Sequence, residues 1–290
     1  MSAIPFKVAC VQNCAGDDIR ENMDVAADLC RAAAAAGAAL ICLPENFTCL
    51  EQDDALYLSR GHDEAGHPAL PVFQRLAQEL AVHLLLGSLT IRLDHEHVAN
   101  RSYVIDPHGM ILSTYDKIHL FDVRLRNGEY YRESRVVAAG DSARCVALPW
   151  GSLGLSICYD VRFPHLYRSL AGAGADFLAI PAAFTHTTGL AHWHVLVRAR
   201  AIENGCYVFA PGQCGTRRWG RRTYGHSLIV DPWGQVLADA GEEQGFIVAD
   251  IDPARVSEAR AMIPSLQHDR PIAEVAVSGS RDSALRGDRA

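Results

Sequence analysis

The chain has 290 residues, of which 49% are hydrophobic, and this is enough apolar material for a sizeable buried core. Its formal charge of -7 arises from 34 acidic and 27 basic residues spread along the chain, which argues against a nucleic-acid or membrane-surface partner. Residues 1–11 lack the pattern of an export signal, and no apolar run is long enough to span a membrane. We therefore predict a cytoplasmic globular protein.

Apolar stretches bounded by turn residues alternate with segments of helical periodicity. The predicted strands are residues 6–12, 39–43, 84–91, 102–105, 153–158, 177–180, 207–210, 227–230 and 246–251. The predicted helices are residues 19–36, 71–82 and 191–203. This alternation indicates an α/β domain in which helices are layered on sheets.

Two pairs of segments echo each other along the chain. Residues 105–112 and 230–237 both read as a strand, an Asp-Pro turn closed by glycine and a second strand, so each is predicted to be a β-hairpin. Residues 41–48 and 178–185 both read as a strand that enters a proline-led loop. Their similar offsets indicate a duplicated unit, and hence two related sheets stacked face to face.

This duplication predicts one domain over residues 1–271. Residues 272–290 are predicted to be a polar C-terminal tail that is either disordered or packed on a neighbour, because the apolar pattern fades there.

The cysteines and histidines do not predict a metal site. The nine cysteines include no Cys-x-x-Cys pair, so we expect reduced thiols, mostly buried in strands. The pairs His95/His97 and His192/His194 lack a third ligand at a recognised spacing, and two such residues on a helix point to different faces.

Cys158 ends an apolar stretch and precedes a helix that is predicted to begin at Pro164. A thiol at a strand end, near a helix start, can be exposed and can have its thiolate favoured by backbone N–H groups and the helix dipole. By composition alone Cys158 would be one more buried strand cysteine, but its flanking residues favour a nucleophile.

Two charged residues could assist this thiol. Glu45 follows an apolar strand, where burial would raise the pKa of its carboxylate and suit it to proton transfer. Ala182 occupies the equivalent position in the second echo, so packing alone does not require a carboxylate. Lys117 ends a hairpin strand and could stabilise an oxyanion beside Glu45. The alternatives are a solvated loop glutamate or a helix cap for Glu45 and a solvated surface charge for Lys117.

Together, Pro44-Glu45, Lys117-Ile-His-Leu-Phe and Cys158-Tyr-Asp-Val-Arg-Phe-Pro resemble the Glu-Lys-Cys motifs of the nitrilase, or carbon-nitrogen hydrolase, superfamily. The resemblance covers about residues 7–271, and the motifs occur in the order and approximate spacing of the family. It implies a four-layer α-β-β-α sandwich and assembly as a homodimer or larger homo-oligomer. It also implies that no metal or organic cofactor is used.

The same resemblance assigns expected roles. Glu45 is the general base and acid, Lys117 the oxyanion donor and Cys158 the nucleophile. Glu133 matches a second glutamate that orients substrate and lysine, with a structural ion pair as the alternative reading. The Tyr159 backbone N–H is a second oxyanion donor. The candidate substrate-binding residues are Tyr159, Arg162, Phe184, Thr185, His192 and Trp193, any of which could instead be structural.

Within the superfamily, the chain is most similar to the deaminated glutathione amidase branch, and omega-amidases are the next most similar. The segments that carry this similarity are residues 191–203, 213–215, 224–227 and 230–234. We expect a thiol amidohydrolase that cleaves a small carboxylate-bearing amide, deaminated glutathione, to 2-oxoglutarate and cysteinylglycine through a Cys158 thioester. The loop at residues 123–128 lacks the Pro-Gly turn that is frequent in the family, and this departure bears on substrate preference.

Several alternatives stay open on the sequence. Within the superfamily they are an omega-amidase acting on 2-oxoglutaramate or 2-oxosuccinamate, an N-carbamoyl amidohydrolase and a nitrilase. Outside it they are a Cys-His or metal hydrolase and an inactive scaffold that binds a partner. A substrate carboxylate would need a cation, either Arg162 or the arginine loop at residues 217–222, and for that loop we favour a solvated charge cluster.

Overall fold

Fourteen strands and six α-helices form the described part of the chain, which comprises residues 4–50, 53–125 and 128–272 of the computed structural model. The strands are β1 Phe6–Gln12, β2 Leu40–Cys42, β3 His83–Arg92, β4 Val98–Ile105, β5 Ile111–Asp116, β6 Asp122–Arg124, β7 Tyr130–Arg132, β8 Arg144–Leu148, β9 Gly151–Leu155, β10 Phe177–Ala179, β11 Tyr207–Ala210, β12 Leu228–Val230, β13 Val236–Asp239 and β14 Gly245–Ile251. The helices are α1 Ile19–Ala35, α2 Asp54–Arg60, α3 Ala69–Leu80, α4 Pro164–Gly172, α5 His186–Asn204 and α6 Ala254–Met262.

The predicted strands and helices are all present, with ends that differ by up to a few residues. The sequence prediction missed α2, α6, β6, β7 and β8, whose residues are largely exposed and therefore give weak apolar periodicity. The strand predicted to reach Cys158 ends earlier, because Cys158 has a left-handed φ of 50° that a strand cannot contain. Apart from Ile272, the predicted tail lies outside the described residues.

Two six-stranded sheets share one topology. Their strand orders are β14-β1-β2-β3-β4-β5 and β8-β9-β10-β11-β12-β13. In both sheets the second, third and fourth strands pair in parallel, and the flanking strands pair antiparallel. Helices α1 and α3 connect the parallel strands of the first sheet, and α4 and α5 occupy the same places in the second. The two related sheets predicted from the duplicated unit, with an internal pseudo-twofold between the two halves, are confirmed.

The two predicted hairpins close with the same turn chemistry. Oδ1 of Asp106 accepts the N–H groups two and four residues later at 2.9 and 2.8 Å, and Oδ1 of Asp231 does the same at 2.9 and 2.8 Å. Gly109 and Gly234 supply the left-handed turn position, with φ of 77° and 83°. An aspartate at the start of each turn therefore stabilises the edge of each sheet.

The layers follow from alternation along the strands. In β1, Val8 and Cys10 join the main apolar cluster with Leu155 of the second sheet, whereas Ala9 and Val11 join a second cluster that includes α1 and α3. One face of the strand thus packs against the other sheet and the opposite face against helices. Within the described residues, every helix is too short or too polar to cross a membrane.

Gly87 in β3 allows a close contact with the loop after β2. A Cβ at this position would lie 2.0 Å from the carbonyl oxygen of Leu43 and 2.3 Å from that of Pro44. We predict that Gly87→Ala lowers the free energy of unfolding by about 2–3 kcal/mol, because backbone atoms must separate.

Urea denaturation measures this effect. Gly172→Ala at the end of α4 is the control, since no atom lies within 4 Å of its added Cβ. That variant should stay within about 1 kcal/mol of the parent. Equal stabilities for the two variants would show that the close contact does not constrain the loop.

Candidate active site

A cavity of about 310 Å³ brings together side chains from four separate segments of the chain. Glu45 lies in the loop after β2 and Lys117 directly follows β5. Glu133 begins a short 3-10 turn after β7, and Cys158 begins another after β9. All four line this cavity, so the structure brings together the residues that the sequence motifs singled out.

Lys117 is buried between two carboxylates. Its Nζ donates to Glu45 Oε1 at 2.9 Å and to Glu133 Oε2 and Oε1 at 2.9 and 3.1 Å. Burial acts to lower the pKa of Lys117, but the charges of Glu133 and Glu45 outweigh it and raise the pKa well above its usual value. The side chain is therefore a fixed ammonium.

Glu45 is also buried and fully partnered. Its Oε2 accepts the Ala183 backbone N–H at 2.8 Å, and its Oε1 accepts the Asn100 side-chain amide at 2.9 Å as well as Lys117. Burial acts to raise the pKa of Glu45, but the attraction and hydrogen bond of Lys117 lower it overall. The sequence-based expectation of a raised pKa differs from this, because it considered burial without the buried lysine.

Asn100 in β4 was missed by the sequence analysis. Its side-chain amide donates to Glu45 at 2.9 Å and to Glu133 at 3.3 Å, so it links the two carboxylates on either side of Lys117. Glu133 also accepts the Phe121 backbone N–H at 2.6 Å. The sequence carries no signal for Asn100, because this residue precedes the strand predicted at residues 102–105 and its complete burial follows only from folding.

Cys158 sits at the cavity wall in a strained backbone conformation. It has a φ of 50°, unusual for a residue with a side chain, and its N–H donates to the Pro181 carbonyl at 2.8 Å. Burial and the charge of Glu45 raise the pKa of the Cys158 thiol well above its usual value, and the opposing effect of Lys117 is smaller. The thiol is therefore protonated at neutral pH, in contrast to the thiolate expected from a strand end beside a helix start.

Asp160 joins the lysine segment to the cysteine segment. This carboxylate is fully buried and accepts the Tyr115 hydroxyl at 2.7 Å, the Ile157 N–H at 2.8 Å and the His119 N–H at 3.0 Å. It therefore holds the backbone on either side of the cavity in one position and is not paired with Arg162.

The loop that carries Glu45 is held from the second half of the chain. The Gln213 side-chain amide donates to the carbonyl groups of Glu45 and Asn46 at 2.8 and 2.7 Å. The Asn46 N–H donates to Ser88 Oγ at 2.9 Å. These bonds fix the main chain around Glu45, which has little freedom to leave the cavity.

The structure separates the six candidate substrate-binding residues into two groups. Tyr159, Phe184 and Thr185 line the cavity. Arg162 lies over the rings of Phe184 and Tyr159, with its Cζ 5.2 and 5.8 Å from their centres, and is not among the described residues that line the cavity.

The last two candidates are in helix α5. His192 is exposed, with Nδ1 3.3 Å from Arg162 Nη1. Trp193 is a core residue that packs against Phe184 and donates to the His226 carbonyl at 2.7 Å. Neither lines the cavity within the described part of the chain, so substrate contact by Arg162, His192 or Trp193 stays a prediction.

The two members of the His192/His194 pair point to different surroundings, as a helix requires. His194 Nε2 lies 2.9 Å from Asp239 Oδ2, and His226 Nδ1 lies 2.9 Å from Asp239 Oδ1. These three residues offer donor atoms within 4.8 Å of one another, outside the cavity. Sequence spacing missed this cluster because its members are brought together from α5, the chain before β12 and the end of β13.

The arginine loop at residues 217–222 is solvated only in part, because Arg218 and Arg222 are exposed whereas Arg217 is buried. Arg217 is 4% exposed, and its guanidinium donates to Ala15, Cys214 and Gly215 carbonyl groups. Arg222 pairs with Glu242 at 2.6 Å, Arg218 pairs with Asp17, and Arg221 lines the cavity. The interpretation as a solvated cluster therefore fits Arg218 and Arg222 but not the buried Arg217, whose partners include the Ala15 carbonyl in a distant segment.

Two stacked sheets with helices on their outer faces form the α-β-β-α sandwich found in nitrilase-type proteins. Residues 7–261 match the family model described as carbon-nitrogen hydrolase, and the chain belongs to that family. It is accordingly a hydrolase of carbon-nitrogen bonds other than peptide bonds.

Three comparisons illustrate the relationship. The chain is 44% identical over 269 residues to a deaminated glutathione amidase of Synechocystis sp., an alignment that covers 91% of this chain and 98% of that protein. The NitFhit protein of C. elegans is 36% identical with a TM-score of 0.84, and the match covers 93% of this chain and 66% of that longer one.

The third is a glutamate-to-glutamine mutant of the amidase from Nesterenkonia sp. AN1, which is 27% identical with a TM-score of 0.75 over 89% of this chain and 95% of that one. Its structure shows covalent addition of the acetamide moiety of fluoroacetamide at the active site cysteine of that enzyme.

Proposed function

We propose that this chain is a thiol amidohydrolase in which Cys158 is the nucleophile, Glu45 the general base and acid, and Lys117 the oxyanion donor. The observation that carries this proposal is the buried arrangement at the cavity. Lys117 Nζ is held 2.9 Å from each of Glu45 and Glu133, beside a protonated Cys158 whose pKa responds to both Glu45 and Lys117. The buried charges of Glu45 and Lys117 line one cavity with this thiol and the partly buried Glu133, and apolar residues in their place would often stabilise a fold at least as well.

The opposed pKa shifts set the protonation states from which the reaction starts. An ionised Glu45 beside a neutral Cys158 can take the thiol proton as Sγ attacks the amide carbonyl. The carbonyl oxygen then becomes negative, and we place it against Lys117 Nζ and the Tyr159 backbone N–H. Charge develops where a fixed ammonium is already present, so no reorganisation is needed.

The same carboxyl group completes the cycle. Protonated Glu45 gives its proton to the leaving nitrogen as the carbon-nitrogen bond breaks, which leaves a thioester on Cys158. Water then gives a proton to Glu45 and attacks the thioester carbonyl. Collapse of this second intermediate releases the carboxylic acid product, and the thiolate recovers its proton from Glu45.

We propose deaminated glutathione as the substrate, with 2-oxoglutarate and cysteinylglycine as products. Support comes from the name carried by relatives that are 44% and 41% identical over 91% of this chain. It also comes from cavity-lining residues that suit a polar, carboxylate-bearing amide, which include Tyr131, Arg132, Thr185 and Arg221.

A direct competition tests the substrate. The pure protein should give a kcat/KM for deaminated glutathione at least about 100-fold above that for 2-oxoglutaramate, since loss of a positioned polar group costs a few kcal/mol. Release of cysteinylglycine and of ammonia would be measured in parallel. A preference for 2-oxoglutaramate would contradict the proposed substrate but would leave the proposed thiol mechanism unchanged.

We also propose that residues 1–271 form one domain, which assembles as a homo-oligomer in the cytoplasm. Helix α5 presents Leu190, Val195 and Ile202 with exposed fractions of 64%, 68% and 52%, and such apolar exposure favours burial against another chain. All nine cysteines lie in the described residues and none forms a disulfide, which suits a reducing compartment.

A further inference from the structure

Arg221 is the cavity-lining residue whose hydrogen-bonding capacity is least satisfied. Its side chain is half-buried, and its Cζ lies 5.1 Å from the ring centre of Tyr131, another cavity residue. The Nε atom is buried and has no hydrogen-bond partner among the described residues. A buried N–H without a partner is costly, and at the wall of a cavity a bound ligand can supply its acceptor.

The other cationic side chains around the cavity are either paired with carboxylates or exposed to water. Lys117 is held by Glu45 and Glu133, and Arg135 pairs with Asp54 at 3.2 Å. Arg132 is exposed, so water can satisfy its guanidinium. Within the described ranges, Arg221 thus combines a cavity position, partial burial and an unused N–H group.

The shape of this side chain selects the ligand chemistry. The Nε–H and one Nη–H of a guanidinium form a fork that matches the two oxygens of a carboxylate, whereas an ammonium is a point charge. The Tyr131 ring supports one face of the guanidinium and keeps the fork in a fixed plane. Tyr131 is in turn fixed by its hydroxyl, which donates to Glu129 Oε2 at 2.8 Å.

We infer that Arg221, supported by Tyr131, binds a substrate carboxylate remote from the amide that is attacked by Cys158. This inference rests on the proposed function, because it uses the same cavity and the same substrate class. A deaminated tripeptide offers two such groups, one on the acyl part and one on the leaving part. Both groups are carboxylates. The first remains on 2-oxoglutarate and the second on cysteinylglycine.

Kinetics of Arg221 variants test the assignment. In Arg221→Met the KM for deaminated glutathione should rise about 10- to 100-fold with a much smaller change in kcat, because the interaction lies away from the reacting atoms. Arg221→Lys should recover part of the loss, since it keeps the charge and loses the fork. Arg222→Met is the matched control: its arginine pairs with Glu242 at the surface, and its KM should equal that of the parent.

Product binding separates this inference from the proposed function. Calorimetry would measure 2-oxoglutarate and cysteinylglycine binding to Cys158→Ala, with and without Arg221→Met, and needs no turnover. Weaker binding of 2-oxoglutarate assigns Arg221 to the acyl carboxylate, and weaker binding of cysteinylglycine assigns it to the leaving part. Unchanged binding of both products, in variants that melt at the parent temperature, overturns the inference even if turnover is confirmed.

Discussion

Cys158→Ala is expected to lose turnover by at least about 10⁴-fold, because Cys158 supplies the one thiol among the described residues that line the cavity. The loss should appear in kcat, while the fold is retained, since the thiol occupies a wall of the cavity and its replacement removes one atom. Product release measured by chromatography gives the rate, and thermal denaturation checks the fold.

Cys145→Ala is the matched control for this variant. Cys145 is a half-buried thiol in β8, outside the cavity, so its removal should leave kcat within about twofold of the parent. Turnover retained by Cys158→Ala, or lost equally by Cys145→Ala, would contradict the role of Cys158.

Glu45→Gln is expected to lower kcat by about 10²–10⁴-fold, because the amide has the shape of the carboxylate but cannot take the thiol proton. A second effect distinguishes this from a general loss of structure. The charge of Glu45 raises the pKa of Cys158, so the variant should have a thiol with a lower pKa than the parent. Alkylation of Cys158 should therefore reach its maximal rate at a lower pH in the variant, although turnover is slower.

Glu133→Gln provides the comparison for the thiol titration. Glu133 also pairs with Lys117, but the dominant influences on the Cys158 pKa are burial, Glu45 and Lys117. Its replacement should shift the alkylation profile much less than Glu45→Gln does. The assignment of the base would be contradicted if Glu45→Gln kept full turnover, or if the alkylation profile moved to higher pH.

Local sequence patterns predicted much of the fold. The apolar strands β1 and β11 were predicted with their observed ends, because they are bounded by polar or turn residues on both sides. The paired Asp-Pro turns also predicted both edge hairpins, because each turn has a local sequence pattern. Elements with little buried surface, such as α2 with Tyr57 as its buried residue, left no comparable pattern.

The candidate site likewise contains residues that the sequence predicted and residues that it did not. Glu45 follows a predicted strand, and Lys117 and Cys158 each end one, so their presence at one edge of the sheets could be anticipated. Asn100 and Arg221 could not, since their significance depends on contacts with segments distant in the sequence. The directions of the Glu45 and Cys158 pKa shifts could not be predicted from the sequence either, because they depend on burial and on charges that folding brings together.

The Cys158 thioester can be tested most directly by mass spectrometry. The protein would be mixed with deaminated glutathione, quenched in acid at successive times within one turnover and digested for peptide mapping. The account predicts a transient mass increase of one acyl group on the peptide that contains Cys158, with kinetics that match release of the amine. Product formation without any such adduct, or an adduct on another residue, would contradict it.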